Sequence, residues 1–426
     1  MAAETKPAGS GLPANGGARA ALGFAGLIGL ALVAVPLAAP GPGLVPAARG
    51  DGPGWLLGLY GEGLGIGAGT YYALLWVAFA AHLCVFFAAP ALDRRLLRGA
   101  SVLLIAAFAL SAPLLSQDVF SYLDYARLGV VGDLNPYTHA PAALPGDPAF
   151  PHVGWADSPS AYGPLFTLAT YPLALLSVPA ALWTLKAIAA ASVLALALLV
   201  ARLAPGRGID PRRGFVMVAL NPLVLVHVVG GAHNDATTVL VAVAGCAAVL
   251  AAREASGGFA IVAAIGLKLS SAFVAPFALL GAARPKRLVL GAAIALAATG
   301  AAGLLAFGPH FLDSATVAGE NQGRVSNYSL PNLLSEALNV DVDAIRALTA
   351  IAYLAFGAWL LRWVHRGADW IRAAGWAALG LLLATAWLLP WYVIWALPFA
   401  AISRDERLVA AVLALTALQL AARIPL

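Results

Sequence analysis

Residues 116–165 read SQDVFSYLDYARLGVVGDLNPYTHAPAALPGDPAFPHVGWADSPSAYGPL, a polar interval set between long apolar runs. The run before it ends at Leu115, so the carboxylate of Asp118 falls where a membrane-crossing segment would meet water. A carboxylate at that depth is costly unless it is solvated or partnered, which marks it as a functional-site candidate. The plainer account is a helix N-cap, for which Asp is favoured. Asp124, Asp133, Asp147 and Asp157 lie in the same interval.

Outward from this interval the apolar runs recur in both directions. Of 426 residues 61% are hydrophobic and 11% charged, against roughly 25% charged in soluble domains. The pattern predicts an all-α, polytopic transmembrane helical bundle of roughly 11–13 spans rather than a barrel. The net charge of +5 does not imply a nucleic-acid partner, because the cations sit in short loops between spans. DRRLLR (93–98), ARLAPGRGIDPRRG (201–214), RPKR (284–287) and SRDER (403–407) are a cytoplasmic-side signature. Cys84 and Cys246 lie inside apolar runs and read as packing residues.

The chain divides into a Gly/Ala/Pro-rich tail at 1–19, expected to be disordered and cytoplasmic, two N-terminal spans within 20–98, and a transmembrane module at 99–426. In that module 116–181 and 309–342 are the two large extracytoplasmic loops, the first carrying interfacial helices. Three stretches read as broken or re-entrant: 163–203, where a short interfacial helix precedes one true span, 258–283, and 390–400.

Four polar clusters converge on the outer side. The first is Asp118 with Asp124 and Arg127; on a helix Tyr122 and Tyr125 share the Asp118 face while Asp124 points elsewhere. The second is His233–Asn234–Asp235, directly before a span, where a helix cap is the competing account. The third is Lys268, in the apolar run FAIVAAIGLKLSSAFVAPFALLGAA (259–283). Its ammonium must find an anion or snorkel to water. It would suit a phosphate at the membrane surface, or form a structural pair with Asp235 or Asp118. The fourth is GENQGRVSNYSLPN (319–332), where Arg324 is of a type that clamps phosphate and Asn327 and Tyr328 suit hydroxyl-rich ligands. Trp387, Trp391, Tyr392 and Trp395 fit an interfacial aromatic belt. No Gly-rich phosphate loop is present, so no nucleotide is expected. His233 and Asp235 are ligand types that leave a divalent cation open as cofactor, without zinc spacing.

In the order SQDVFSYLDYARLG, LNPYTHAP, AYGPL, NPLVLVHVVGGAHNDA, GLKLSSAFVAPF and LPWYVIWALPF, the chain resembles the GT-C superfamily of integral-membrane glycosyltransferases. Within it the chain looks most like the polyprenol-phosphate-mannose-dependent α-(1→6)-mannosyltransferases of actinobacterial lipomannan synthesis. The resemblance spans about residues 99–400. It implies a GT-C-like module in the bacterial inner membrane with its site facing outward. It also implies Asp118 as catalytic base, with the donor phosphate near Lys268 or an outer-loop arginine such as Arg324. The expected activity is inverting transfer of a sugar, mannose in the first instance, from a polyprenyl-phosphate donor to a glycan or glycolipid acceptor. Asp124, Asn135, Tyr137, Tyr162, His233, Asn234, Asp235, Asn327 and Tyr392 are the candidates for sugar and acceptor contacts. A lipid-linked glycan flippase or transporter is the alternative, since broken helices and intramembrane charges occur there too. It should show two related halves, and none is evident.

Overall fold

The computed structural model describes residues 16–48 and 53–422. Helices make up 76% of it, and no strand forms among the described residues, as expected where backbone polar groups must be satisfied within the bilayer. The tail expected at 1–19 lies outside the described residues up to residue 15, and residues 16–19 already belong to the first helix.

In chain order the first helices are α1 (Gly16–Ala38), α2 (Ala68–Ala88), α3 (Arg94–Ala109), α4 (Asp118–Val130), α5 (Pro164–Thr170), α6 (Val178–Leu203) and α7 (Pro211–Ala219). Then follow α8 (Asp235–Leu250), α9 (Glu254–Leu267), α10 (Val274–Gly281), α11 (Pro285–Phe307), α12 (Asp313–Asn321) and α13 (Leu330–Leu338). The last are α14 (Val342–His365), α15 (Trp370–Ala384), α16 (Leu397–Ile402) and α17 (Glu406–Ala421). The chain is thus a multi-pass membrane protein. Every segment expected to cross is helical, but five helices, around α1, α2, α6, α11 and α14, are long and apolar enough by themselves, or six with one bent pair. The others fall short: α8, α9 and α15 have 16, 14 and 15 residues, about 21–24 Å against a hydrocarbon core of roughly 30 Å.

The basic loops owe their acids to helix starts. Asp93, Asp210, Asp369 and Asp405 each accept from backbone N–H groups at the beginning of α3, α7, α15 and α17, each cap worth about 1 kcal/mol. The bundle is tightened by small residues. α9 and α11 cross so closely that a Cβ on Gly291 would stand 1.8 Å from the Ala255 carbonyl, the packing that apolar solvent favours.

Two breaks shape one end of the bundle. α7 and a π-helix at Val224–Gly230 are bent by 59°. The cause is Asn221–Pro222: proline supplies no N–H, and the Asn221 side chain takes the Leu223 N–H at 3.0 Å instead. The second break is at Lys268, in extended backbone between α9 and the 3-10 turn Leu269–Phe273. Residues 258–283 are therefore two short helices meeting at Lys268, as the sequence predicts. The short helix expected at the start of 163–203 is α5 with the 3-10 turn Tyr171–Leu175, and the one long span after it is α6. The short helix docks on the second break: the Gly163 N–H donates to the Leu267 carbonyl at 3.1 Å, and a Cβ on Gly163 would stand 2.1 Å from the Gly266 carbonyl. The two N-terminal helices are not peripheral. α1 packs on α2 and α3, and α2 on α7 and α17.

Candidate active site

Five segments meet at one end of the bundle: the first turn of α4, the loop before α5, the turn before α8, the Lys268 break and the 3-10 turn Pro390–Trp395. Asp118 opens α4, where the helix dipole favours a negative charge. Its Oδ1 accepts from the Trp155 indole N–H at 2.9 Å. Its Oδ2 faces His233 Nδ1 at 3.5 Å, beyond a good hydrogen bond. The Asp118 side chain is 16% exposed, which leaves it reachable from outside. Burial raises its pKa above the ordinary carboxylate range; the Trp155 N–H and the Lys268 charge pull the other way.

His233 is fully buried and stacks on Trp391 with ring centroids 3.7 Å apart. Burial, reinforced by Lys268, holds its imidazole neutral, so its contact with Asp118 is polar rather than an ion pair. Asn234 is buried with neither amide atom partnered. Asp235 is fully buried in the first turn of α8, where it receives Lys268 Nζ at 2.8 and 3.0 Å and the Trp395 N–H at 2.7 Å. The Lys268 ammonium lies 5.2 Å from the Tyr392 ring and 6.0 Å from the Tyr162 ring. Tyr162 packs edge-on against Tyr122. Arg324 lays its guanidinium over Trp155 at 4.5 Å and has no carboxylate within ion-pair distance among the described residues.

Asp118, His233, Asn234, Asp235, Lys268, Tyr162, Tyr392 and Arg324 therefore gather in one place. Four expected contact residues do not join them. Asp124, about 120° round α4 from Asp118, is buried without a hydrogen-bond partner and feels Asp147 and Arg127. Asn135 spends its amide on the Phe307 carbonyl at 2.7 Å and its oxygen on the Tyr137 N–H. Tyr137 is buried with its hydroxyl on the Tyr162 carbonyl and Thr167. The NPY element thus braces the loop that presents Tyr162. Asn327 is exposed, with its carbonyl taken by Asn332.

Trp155 is absent from the sequence-based candidates, and Trp391 and Trp395, read there as an interfacial belt, are 4% and 3% exposed in the site wall. Their spacing of four residues, between Pro390 and Pro398, was the available signal. Backbone strain marks both key segments: Leu115 and Ala232 adopt left-handed φ of 60° and 57°, a cost of roughly 1–2 kcal/mol each. Such residues cluster at functional sites. Among the described residues no three His, Cys, Asp or Glu side chains converge as a metal site. A cavity of about 320 Å³ lined by Arg213, Arg404 and Glu406 opens at the far ends of α7 and α16 and has no part in this cluster.

Fold and site define a polytopic all-α membrane protein that collects a carboxylate, an imidazole and an ammonium group at one end of its bundle. Residues 21–284 match the family described as alpha-(1->6)-mannopyranosyltransferase, N-terminal domain. The chain is 28% identical over 352 residues to alpha-(1->6)-mannopyranosyltransferase A of Mycobacterium tuberculosis, which covers 75% of this chain and 68% of that protein. It is 27% identical over 194 residues to alpha-(1->6)-mannopyranosyltransferase A of Corynebacterium glutamicum, covering 44% of this chain and 39% of that one. With alpha-(1->6)-mannopyranosyltransferase B of the same organism it shares 30% over 139 residues, 31% of this chain and 23% of that protein. No solved structure matches. The chain belongs to the alpha-(1->6)-mannopyranosyltransferase family and is an enzyme of the glycosyltransferase class.

Proposed function

We propose that the chain transfers a mannosyl unit from a polyprenyl-phosphate donor to a hydroxyl of a glycan or glycolipid acceptor, with inversion at the anomeric carbon. The observation that carries this reading is Asp118, a partly exposed carboxylate held on one oxygen by Trp155 and faced on the other by His233. Asp118 removes the acceptor proton as the hydroxyl attacks, a role worth about 10²–10⁴-fold. Phosphate leaves readily, so no general acid is required. The relatives' names support mannose and an α-(1→6) bond; inversion to α then requires a β-configured donor. Lys268 and Arg324 bind the donor phosphate, while the Tyr162 and Tyr392 rings and the unpartnered Asn234 amide contact sugar and acceptor.

The basic loops at 93–98, 201–214, 284–287 and 403–407 end helices whose other ends lead to the site. The positive-inside rule then supports a site facing the extracytoplasmic side of a bacterial inner membrane. The test incubates membranes holding the wild type or Asp118→Asn with radiolabelled polyprenyl-phosphate mannose and a mannan acceptor. The expected result is normal expression with transfer lost in the variant. Near-normal transfer by Asp118→Asn would overturn the assignment.

A further inference from the structure

One buried group near the site has no part in the chemistry proposed above. Lys186 lies in the N-terminal half of α6, fully buried. A lysine so placed ordinarily faces a carboxylate. Among the described residues none is within ion-pair distance. Its ammonium instead donates to two backbone carbonyls, Gly230 at 2.6 Å and Ala112 at 3.4 Å. The Gly230 carbonyl also receives the Leu114 N–H at 3.2 Å. One oxygen atom thus joins α6, the strand of chain leading to Asp118 and the end of the π-helix leading to His233.

Just beyond this junction each of the two joined segments enters its left-handed residue, Leu115 on one side and Ala232 on the other. Asp118 follows three residues after Leu115, and His233 immediately follows Ala232. A strained residue keeps its conformation only where its surroundings over-determine it. Here the junction supplies that constraint. The packing at this point leaves little slack, since a Cβ on Gly230 would stand 2.8 Å from the Leu114 side chain. We infer that Lys186 is a positioning residue, a buried clamp that fixes the gap between the Asp118 carboxylate and the His233 ring. The inference rests on the reading of Asp118 as the base.

The test uses the full chain purified in nanodiscs. Lys186→Met keeps the volume and removes both donations. Its expected signature is a fall in kcat of about tenfold or more with the donor KM within twofold, and faster amide exchange in residues 111–117 and 228–235. Lys186→Arg, which can still donate to two carbonyls, should recover part of kcat and of the protection. If Lys186→Met does not fold, Gly230→Ala perturbs the same junction from the opposite side and should give the same split. An active wild type with Lys186→Met unchanged in both kcat and exchange would overturn the clamp. A wild type inactive toward polyprenyl-phosphate mannose would instead sink the proposed donor. The exchange rates would then still decide the clamp by themselves: acceleration supports it, no change overturns it.

Discussion

The Lys268–Asp235 pair offers a way to separate binding from architecture. Asp235 is fully buried and Lys268 is 17% exposed, with both carboxylate oxygens at 2.8–3.0 Å from Nζ. Asp235→Asn leaves an acceptor for Trp395 but orphans the ammonium. Removing one partner of a buried pair costs about 3–5 kcal/mol; the partial exposure of Lys268, which can turn toward water, reduces this to about 2–3. Lys268→Met orphans the carboxylate, which has no access to water and still holds the Trp395 N–H, so its cost lies toward the upper end. The double variant has no orphaned charge, and a double-mutant cycle should return a coupling of about 2 kcal/mol. Donor affinity behaves differently. If the ammonium also holds the donor phosphate, losing that charge-assisted contact costs about 1.5–3 kcal/mol, roughly a ten- to hundredfold rise in donor KM. The double variant should therefore lose less resistance to thermal unfolding in detergent than the two single losses add up to, while keeping the raised KM. A double variant with wild-type KM would refute phosphate binding by Lys268 and leave it a structural ion pair.

Trp155→Phe removes the N–H that favours ionised Asp118, so the acidic limb of the pH–rate profile should move to higher pH; an unmoved limb would count against Asp118 as base. Asp124 is buried without a hydrogen-bond partner, and burial, with Asp147 behind it, pushes its carboxyl up to about 7. A carboxyl raised in the folded state binds its proton more tightly there than when unfolded. Its contribution is thus complete below about pH 4 and is lost as pH rises to 7, on the order of 4 kcal/mol at most. Asp124→Asn should flatten that decline in denaturation followed from pH 4 to 8, and leave transfer near normal at neutral pH. Gly291→Ala forces α9 and α11 apart and should lower the unfolding temperature, whereas Gly300→Ala, with nothing within 4 Å of the added Cβ, should not.

What could be read from sequence follows from how costly a polar group is in an apolar run. Asp118, His233–Asn234–Asp235 and Lys268 are conspicuous because burying them demands a reason, and the structure brings all of them together. The bend at Asn221–Pro222 is not among the broken stretches read from the sequence, but the break at Lys268 was readable for the same cause, since an isolated cation in a span leaves charge to be accommodated. Trp155, Trp391 and Trp395 were not, because an aromatic near a membrane surface already has a sufficient explanation in the interface itself. Only their indole N–H groups, aimed at Asp118 and Asp235 in two of the three, set them apart. Asn135 and Tyr137 mislead in the opposite sense: their polarity is spent on carbonyls of the protein, as loops folded over a bundle require. Periodicity tells which face a residue takes on its own helix, but the register between helices far apart in sequence is set by close backbone approaches such as Gly163 on Gly266. That contact puts Tyr162 beside Lys268, and the carbonyl of Gly230, shared by Lys186 and Leu114, plays the same part for Asp118 and His233. The site's geometry is therefore written in backbone atoms, which every residue carries, and its chemistry in side chains, which only a few do; sequence names the second and is silent on the first.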